Sequence, residues 1–329
     1  MEITKIGTME LESPLIAAAS SATSRLEDLC SLNRTAVGAI ITKSTTLEER
    51  PGNPETNFFT SGPLTINAQG LPGRGVAGDI KVLEQFQSER TKPLILSVAG
   101  LQPNEYLEIV KEVQTRVGQL YDAIELNLSC PNVAGKPIIS YDHHTAKEII
   151  EEILAKFPQI PFGIKIAPHF SEEEQKNLTN QINTFLEANI PDLKASFSNS
   201  TFYDLEHLKN FARILLNLRS KHDNLSFISA TNTLPNCRLT KPDGSTALNS
   251  KANNGQGGLS GEFLHPIAVK NVQGLAKALL GEIKIIATGG ARDANSVKEF
   301  FDAGAHTVAL GTSLINLGPR GIEQILTDL

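Results

Sequence analysis

A (β/α)8 barrel, the TIM-barrel architecture, is the fold this α/β sequence predicts, and three observations carry the prediction. Eight short apolar, β-branched runs are bounded by turn residues, as buried parallel strands are. Amphipathic helical patterns separate most of these runs, which implies parallel pairing through right-handed crossovers. No GxGxxG turn follows an early strand, and an open doubly wound sheet would more often show five or six strands.

The strand runs occupy 14–19, 37–43, 93–99, 122–128, 161–166, 225–231, 282–288 and 306–311. A helix over 104–117 places Tyr106, Ile109, Val110 and Val113 on one stripe, with Glu and Lys opposite. The pattern returns over 145–156 through Ile149, Ile150, Ile153 and Leu154. Segment 171–186 opens with a serine and three glutamates, an N-cap and a first turn matched to the helix dipole. Segment 194–224, ahead of the sixth strand, also reads as helical. Two stretches break the regularity. Segment 48–93 is rich in Pro, Gly and Asn and too polar to be one buried element, and 233–261, with its NNGQGGLSG, is similar. Both follow the carboxyl ends of strands, where barrel active sites are built, and long loops of this kind are usually functional. With no internal repeat or low-complexity linker, the expected organisation is a single domain over 1–329 with long active-site loops.

Composition narrows the function classes. The 329 residues are 40% hydrophobic, enough to bury a large core without disulfides or metals. Thirty Lys+Arg against 36 Asp+Glu give a net charge of −6, and no basic run stands out, so nucleic acid is not expected as a partner. No apolar stretch approaches the roughly 18 residues that cross a membrane, and MEITKIGTMELESP lacks a signal-peptide core. Cys30, Cys130 and Cys237 are few and odd in number, which fits a reducing cytoplasm. The seven histidines show no HxH or HExxH spacing, so no metal site is expected.

Side chains at the carboxyl ends of barrel strands point into the active-site mouth. The fourth strand ends in Asn127-Leu-Ser-Cys130-Pro-Asn132, two amides flanking a titratable thiol. Cys130 could equally be a small buried hydrophobe, and the asparagines turn caps. Lys43 in AIITKSTT and Lys165 in GIKIAP end apolar runs, where a cation is costly unless it meets an anion or a polarised cofactor. Either lysine could also reach solvent past the rim. The pairs Gly257-Gly258 and Gly289-Gly290, with Gly311-Thr312, would let backbone N–H groups approach a phosphate, although single turn glycines look alike.

Together, TKSTTLEERPGNP, NAQGLPG, LNLSCPNVAGKP, GIKIAP, ATNT, GGLSG, ATGGA and ALGT resemble the dihydroorotate dehydrogenase family, in the family's order and over nearly the whole chain. LNLSCPNVAGKP is similar to the cytosolic, fumarate-reducing class, in which a cysteine is the base; the membrane-bound quinone-reducing class carries serine there. The resemblance implies FMN as cofactor, oxidation of (S)-dihydroorotate to orotate in pyrimidine biosynthesis, fumarate as electron acceptor, and a homodimer. Carried over by motif, Cys130 takes the C5 proton of the substrate. Asn67, Asn127, Asn132 and Asn232 hold the pyrimidine ring and carboxylate, helped by Thr233 and the backbone around Gly70 and Leu71. Lys43 lies near both substrate and flavin, and Lys165 lies on the flavin's N1/O2 side. Ala19, Ser20, Ser44 and Asn127 contact the flavin, and Gly257, Gly258, Gly289, Gly290, Gly311 and Thr312 surround its phosphate. The chain departs from the family pattern in three places: Ser20 stands where a glycine is usual, 194–224 is longer, and the chain ends sooner after strand eight. Other readings compete: a related dihydropyrimidine-type dehydrogenase or an NAD-linked catalytic subunit needing an electron-transfer partner, a catalytically silent FMN-binding barrel, and a barrel aldolase or synthase using Lys165 as a Schiff-base amine.

Overall fold

The computed structural model describes residues 4–54, 56–129, 138–198, 202–248 and 254–329. Eight parallel strands close into a barrel: Leu15–Ala17, Ile40–Ile41, Leu94–Val98, Ala123–Asn127, Phe162–Ile166, Leu225–Ala230, Lys284–Thr288 and Thr307–Leu310. They pair in chain order, and the eighth closes on the first with Ala309 opposite Ile16. Each lies inside one of the predicted runs, because a strand buried on both faces has no polar side to interrupt its apolar sequence.

Helices Leu26–Asn33, Gly75–Phe86, Pro103–Val113, His143–Lys156, Leu205–Arg219, His265–Leu279, Ala294–Asp302 and Pro319–Asp328 pack their apolar stripes against the outside of the barrel. Short helix Thr312–Leu317 follows the eighth strand. Inside the barrel, Ile16, Ala39, Ile41, Ile95, Ala123, Phe227, Ile286 and Ala309 form an apolar layer. An antiparallel hairpin, Thr4–Ile6 with Met9–Leu11, adds Ile6, Met9 and Leu11 to that layer.

Phe227 faces Gly163 across the fifth and sixth strands, and a Cβ on Gly163 would sit 2.1 Å from its ring. Only glycine leaves room for that ring. Gly163→Ala is therefore expected to destabilise the protein by about 1–3 kcal/mol through overpacking. Urea denaturation of the two proteins side by side checks this, and equal midpoints would refute the packing role.

A second layer covers the carboxyl end of the barrel. Five antiparallel strands lie in the order Lys194–Phe197, Leu234–Thr240, Gln256–Gly261, Leu64–Asn67 and Phe58–Ser61. Helix Glu172–Asn189 packs Leu178, Ile182 and Leu186 beneath this sheet, against Leu64, Ile66, Leu234 and Leu259. The helix begins as its sequence predicts: Ser171 Oγ accepts from Glu174 N at 3.2 Å, and Glu174 reaches back to Ser171 N at 2.8 Å.

Two expectations change here. Segment 194–224 is not helical throughout: Lys194–Phe197 is an edge strand, with Phe197 opposite Cys237, and only Leu205–Arg219 is helix. The strand is four residues with buried Ala195 between exposed Lys194 and Ser196, too short for its period of two to outweigh the helical stripe that follows. Segment 48–93 holds two of the cap strands and also helix Gly75–Phe86, which is anchored by Val76, Leu83 and Phe86. Among the described residues, no helix is long and apolar enough to cross a membrane.

Candidate functional site

Between the barrel mouth and its cap lies a cleft of about 1120 Å³, measured out to its open side. Every barrel strand but the third sends to it a residue that the sequence singled out. Ala19 and Ser20 come from the first strand's end, Lys43 and Ser44 from the second, Asn127 from the fourth and Lys165 from the fifth. Asn232 and Thr233 follow the sixth strand, Gly289 and Gly290 the seventh, and Gly311 and Thr312 the eighth. The cap adds Asn67, Gly70 and Leu71. Gly257 and Gly258 do not line the cleft. They sit in the cap strand paired with Leu64–Asn67, and a Cβ on Gly257 would lie 2.5 Å from the Asn67 carbonyl, so close strand contact accounts for a glycine there. Cys130 and Asn132 lie outside the described residues.

The chain approaches Cys130 through a fixed amide cluster. Asn232 Nδ2 donates to Ser129 Oγ at 2.9 Å and to the Ser129 carbonyl at 3.1 Å. Ser129 Oγ donates to Asn127 Oδ1 at 3.1 Å. Asn127 Nδ2 in turn donates to Ser44 Oγ at 2.9 Å. Ser44 is 2.9 Å from Ser97 Oγ, whose own hydrogen goes to Glu125 Oε1 at 3.0 Å, so Ser44 is the donor of that pair. Glu125 is wholly buried, and its other oxygen accepts from Ser229 at 2.6 Å. One polarised chain of hydrogen bonds therefore runs from the cleft to a carboxylate inside the barrel, and it orients the Asn127 amide.

Sequence reasoning missed Gln69, Ser97, Glu125, Ser129, Ser229 and Thr231. A signal existed for three of them: Ser97, Glu125 and Ser229 interrupt otherwise apolar strand runs, and a buried polar residue needs partners. Gln69 accepts from Lys43 Nζ at 3.0 Å, fixing the lysine over the cleft. Lys165 is 7% exposed, and no described residue pairs with its ammonium. A buried cation facing a cleft is a demand for an anion or an electron-rich ring.

The cleft also shows unmet hydrogen-bonding capacity. Thr231 Oγ1 and Thr233 Oγ1 are buried, line it, and have no described partner. At Gly290, φ is +80°, and a Cβ would stand 2.6 Å from the Gly261 carbonyl, so only glycine keeps this backbone against the mouth. These features fit a ligand with a polar ring system at one end and a phosphate at the other. The two other cysteines of known placement are not candidates: Cys237 is fully buried, which pushes its thiol up to about 12, and burial also raises that of Cys30.

The family model described as dihydroorotate dehydrogenase matches residues 1–212 and 204–329. The chain belongs to the dihydroorotate dehydrogenase family. Relatives from Streptococcus pyogenes serotype M1 and Streptococcus agalactiae serotype Ia, both bearing the provisional name dihydroorotate dehydrogenase A (fumarate), are 31% identical over 327 residues, 99% of this chain and 91% of theirs. Two crystal structures of Eimeria tenella DHODH share the fold. The ferulenol complex has a TM-score of 0.71 at 20% identity, covering 99% of this chain and 83% of that one. The ligand-free form has a TM-score of 0.71 at 21% identity, covering 99% and 86%. Dihydroorotate dehydrogenases are flavin-dependent oxidoreductases that act on small molecules, and the cleft has the charge and polar groups such chemistry uses.

Ser20, which departs from the family's usual glycine, has a local task in this dihydroorotate dehydrogenase. Its Oγ accepts from Ala22 N at 3.2 Å while Thr23 Oγ1 accepts from Ser20 N at 3.1 Å, a reciprocal cap on the turn Ser21–Thr23. Ser20→Gly should therefore cost only roughly a few tenths of a kcal/mol in stability and leave flavin affinity unchanged. Thermal melts and flavin titration of the apoprotein test it; a several-fold change in affinity would show that the hydroxyl serves the flavin instead.

Proposed function

We infer that this chain is a cytoplasmic, homodimeric dihydroorotate dehydrogenase, one FMN-binding barrel domain over 1–329, oxidising (S)-dihydroorotate to orotate with fumarate as the acceptor. The observation that carries this reading is the side chain of Lys165, largely buried and without a described partner, facing a cleft edged by amides and by threonine hydroxyls that have no described partner either. FMN supplies the hydride acceptor when bound. Ala19, Lys43, Ser44, Asn127 and Lys165, with the backbone rather than the hydroxyl of Ser20, would hold its ring end, and Gly289, Gly290, Gly311 and Thr312 its phosphate. Gly257 packs against the Asn67 carbonyl, and Gly258 pairs with Asn67 in the cap strand beside the cleft.

Lys165 places positive charge where reduction accumulates negative charge. Asn67, Asn127, Asn132, Asn232 and Thr233, with the backbone at Gly70 and Leu71, bind a planar, anionic pyrimidine, and each amide left unpaired would cost about 1–3 kcal/mol. Leu71 has φ +57° and Gly70 φ +73°, a turn that Arg50 braces by donating to the Gly70 carbonyl at 3.2 Å. Cys130 takes the C5 proton. The name borne by the streptococcal relatives supports fumarate as acceptor.

Anaerobic mixing with dihydroorotate should bleach the yellow flavin, and fumarate should restore the colour where NAD and a quinone do not. No bleaching would leave a flavin-binding protein without this activity. Recovery with NAD alone would point to a missing electron-transfer subunit.

A further inference from the structure

His143, His169 and His207 are far apart in sequence, yet the fold brings one ring nitrogen of each within 4.8 Å of the others. None of the three lines the cleft. His169 follows the fifth barrel strand, His143 opens helix His143–Lys156, and His207 lies in the first turn of Leu205–Arg219. His169 is 1% exposed; its Nδ1 lies 3.1 Å from the Ala167 carbonyl and its Nε2 3.2 Å from His207 Nδ1. A carbonyl only accepts, so Nδ1 of His169 carries the hydrogen and Nε2 presents a lone pair. His143 Nε2 is buried and has no described partner.

The geometry points to a binding site for a zinc-class divalent transition metal, with the imidazoles of His143, His169 and His207 as its three protein ligands. Two nitrogens bound at about 2.0–2.1 Å to a tetrahedral ion stand about 3.3 Å apart, which the His169–His207 pair already matches. The Ala167 carbonyl holds His169 in the required tautomer, as second partners of ligating histidines do. A rotamer shift of His143, whose ring centroid lies 3.8 Å from that of His207 at a tilt of 33°, brings in the third nitrogen. The alternative, in which His207 simply donates to His169, leaves His143 Nε2 buried and unsatisfied.

The surroundings favour ligation at neutral pH. Burial lowers His143 to about 4 and His169 to about 3, and also lowers His207, so the rings offer lone pairs without first losing protons. Two of the ligands sit at positive helix ends, which oppose a cation. The N-cap carboxylates of those helices, Asp142 and Asp204, offset this. Tyr141 OH donates to the Pro168 carbonyl at 2.6 Å, so a metal here would reinforce an existing tie between the start of the fourth helix and the strand that bears Lys165.

Cobalt(II) is the probe. Titrating chelator-treated holoprotein should show one saturable ion per chain, with four-coordinate d–d absorption to the red of the flavin, displaced by zinc. His143→Gln and His207→Gln should each weaken binding at least tenfold, while Cys130→Ser leaves it unchanged. X-ray absorption at the zinc edge of the unaltered protein should count three imidazoles, a measurement independent of how the variants fold. No saturable binding, undiminished affinity in both histidine variants, loss of binding in Cys130→Ser, or fewer than three imidazoles would each overturn the assignment.

Discussion

Cys130→Ala should lose about 10²–10⁴-fold in kcat at neutral pH while the variant stays yellow and binds orotate with nearly unchanged affinity. The reason is chemical. Removing a proton from carbon needs a positioned base, and the ordinary thiol, with a reference pKa of about 8.5, is closer to neutrality than a serine hydroxyl. The residues leading to Cys130 are held in place: Ser129 is wholly buried and hydrogen-bonded to both Asn127 and Asn232. Alanine removes the base without disturbing those bonds. Serine at the same position should recover part of the rate as pH rises, since its hydroxyl must be deprotonated by solvent base. Steady-state rates across pH, with orotate titrations on the same samples, separate loss of chemistry from loss of binding. Near-normal turnover in the alanine variant would dismiss Cys130 as the base.

Much of this site was legible in the sequence because a barrel fixes where strand ends go. Once the eight apolar runs are placed, Lys43, Asn127, Lys165, Asn232 and Gly289 must converge, since each ends or directly follows a parallel strand. What a linear reading could not supply is contact between distant segments. Glu125 is explained only by Ser97 and Ser229, its partners from the third and sixth strands. Gly257 shows the ambiguity of a glycine pair, because a glycine required by a neighbouring strand and one required by a ligand leave the same letter. The edge strand Lys194–Phe197 was hidden because its ladder partner lies about 40 residues away, a register no local periodicity encodes. The histidines at 143, 169 and 207 are the same case: spacing gave no hint of a cluster that only the fold assembles.

Lys165→Met is expected to separate stability from function. In the apoprotein Lys165 is a residue only 7% exposed with no described partner, so methionine, which keeps the apolar stem, should raise the stability of the apoprotein by about 1–3 kcal/mol. With flavin bound, the same change removes the charge that favours acceptance of a hydride. Flavin reduction by dihydroorotate should then slow by about 10²–10³-fold, the usual scale for losing one preorganised electrostatic contact. Orotate affinity should move only a few-fold, because the amides at Asn127 and Asn232 keep their hydrogen-bonded positions without the lysine. Stopped-flow reduction, orotate titration and apoprotein denaturation give three independent readouts. A variant that is less stable as apoprotein would mean that the ammonium has a protein partner and that its burial is structural. A variant that is more stable yet reduces its flavin at the parental rate would show that the buried charge is costly but not used for catalysis.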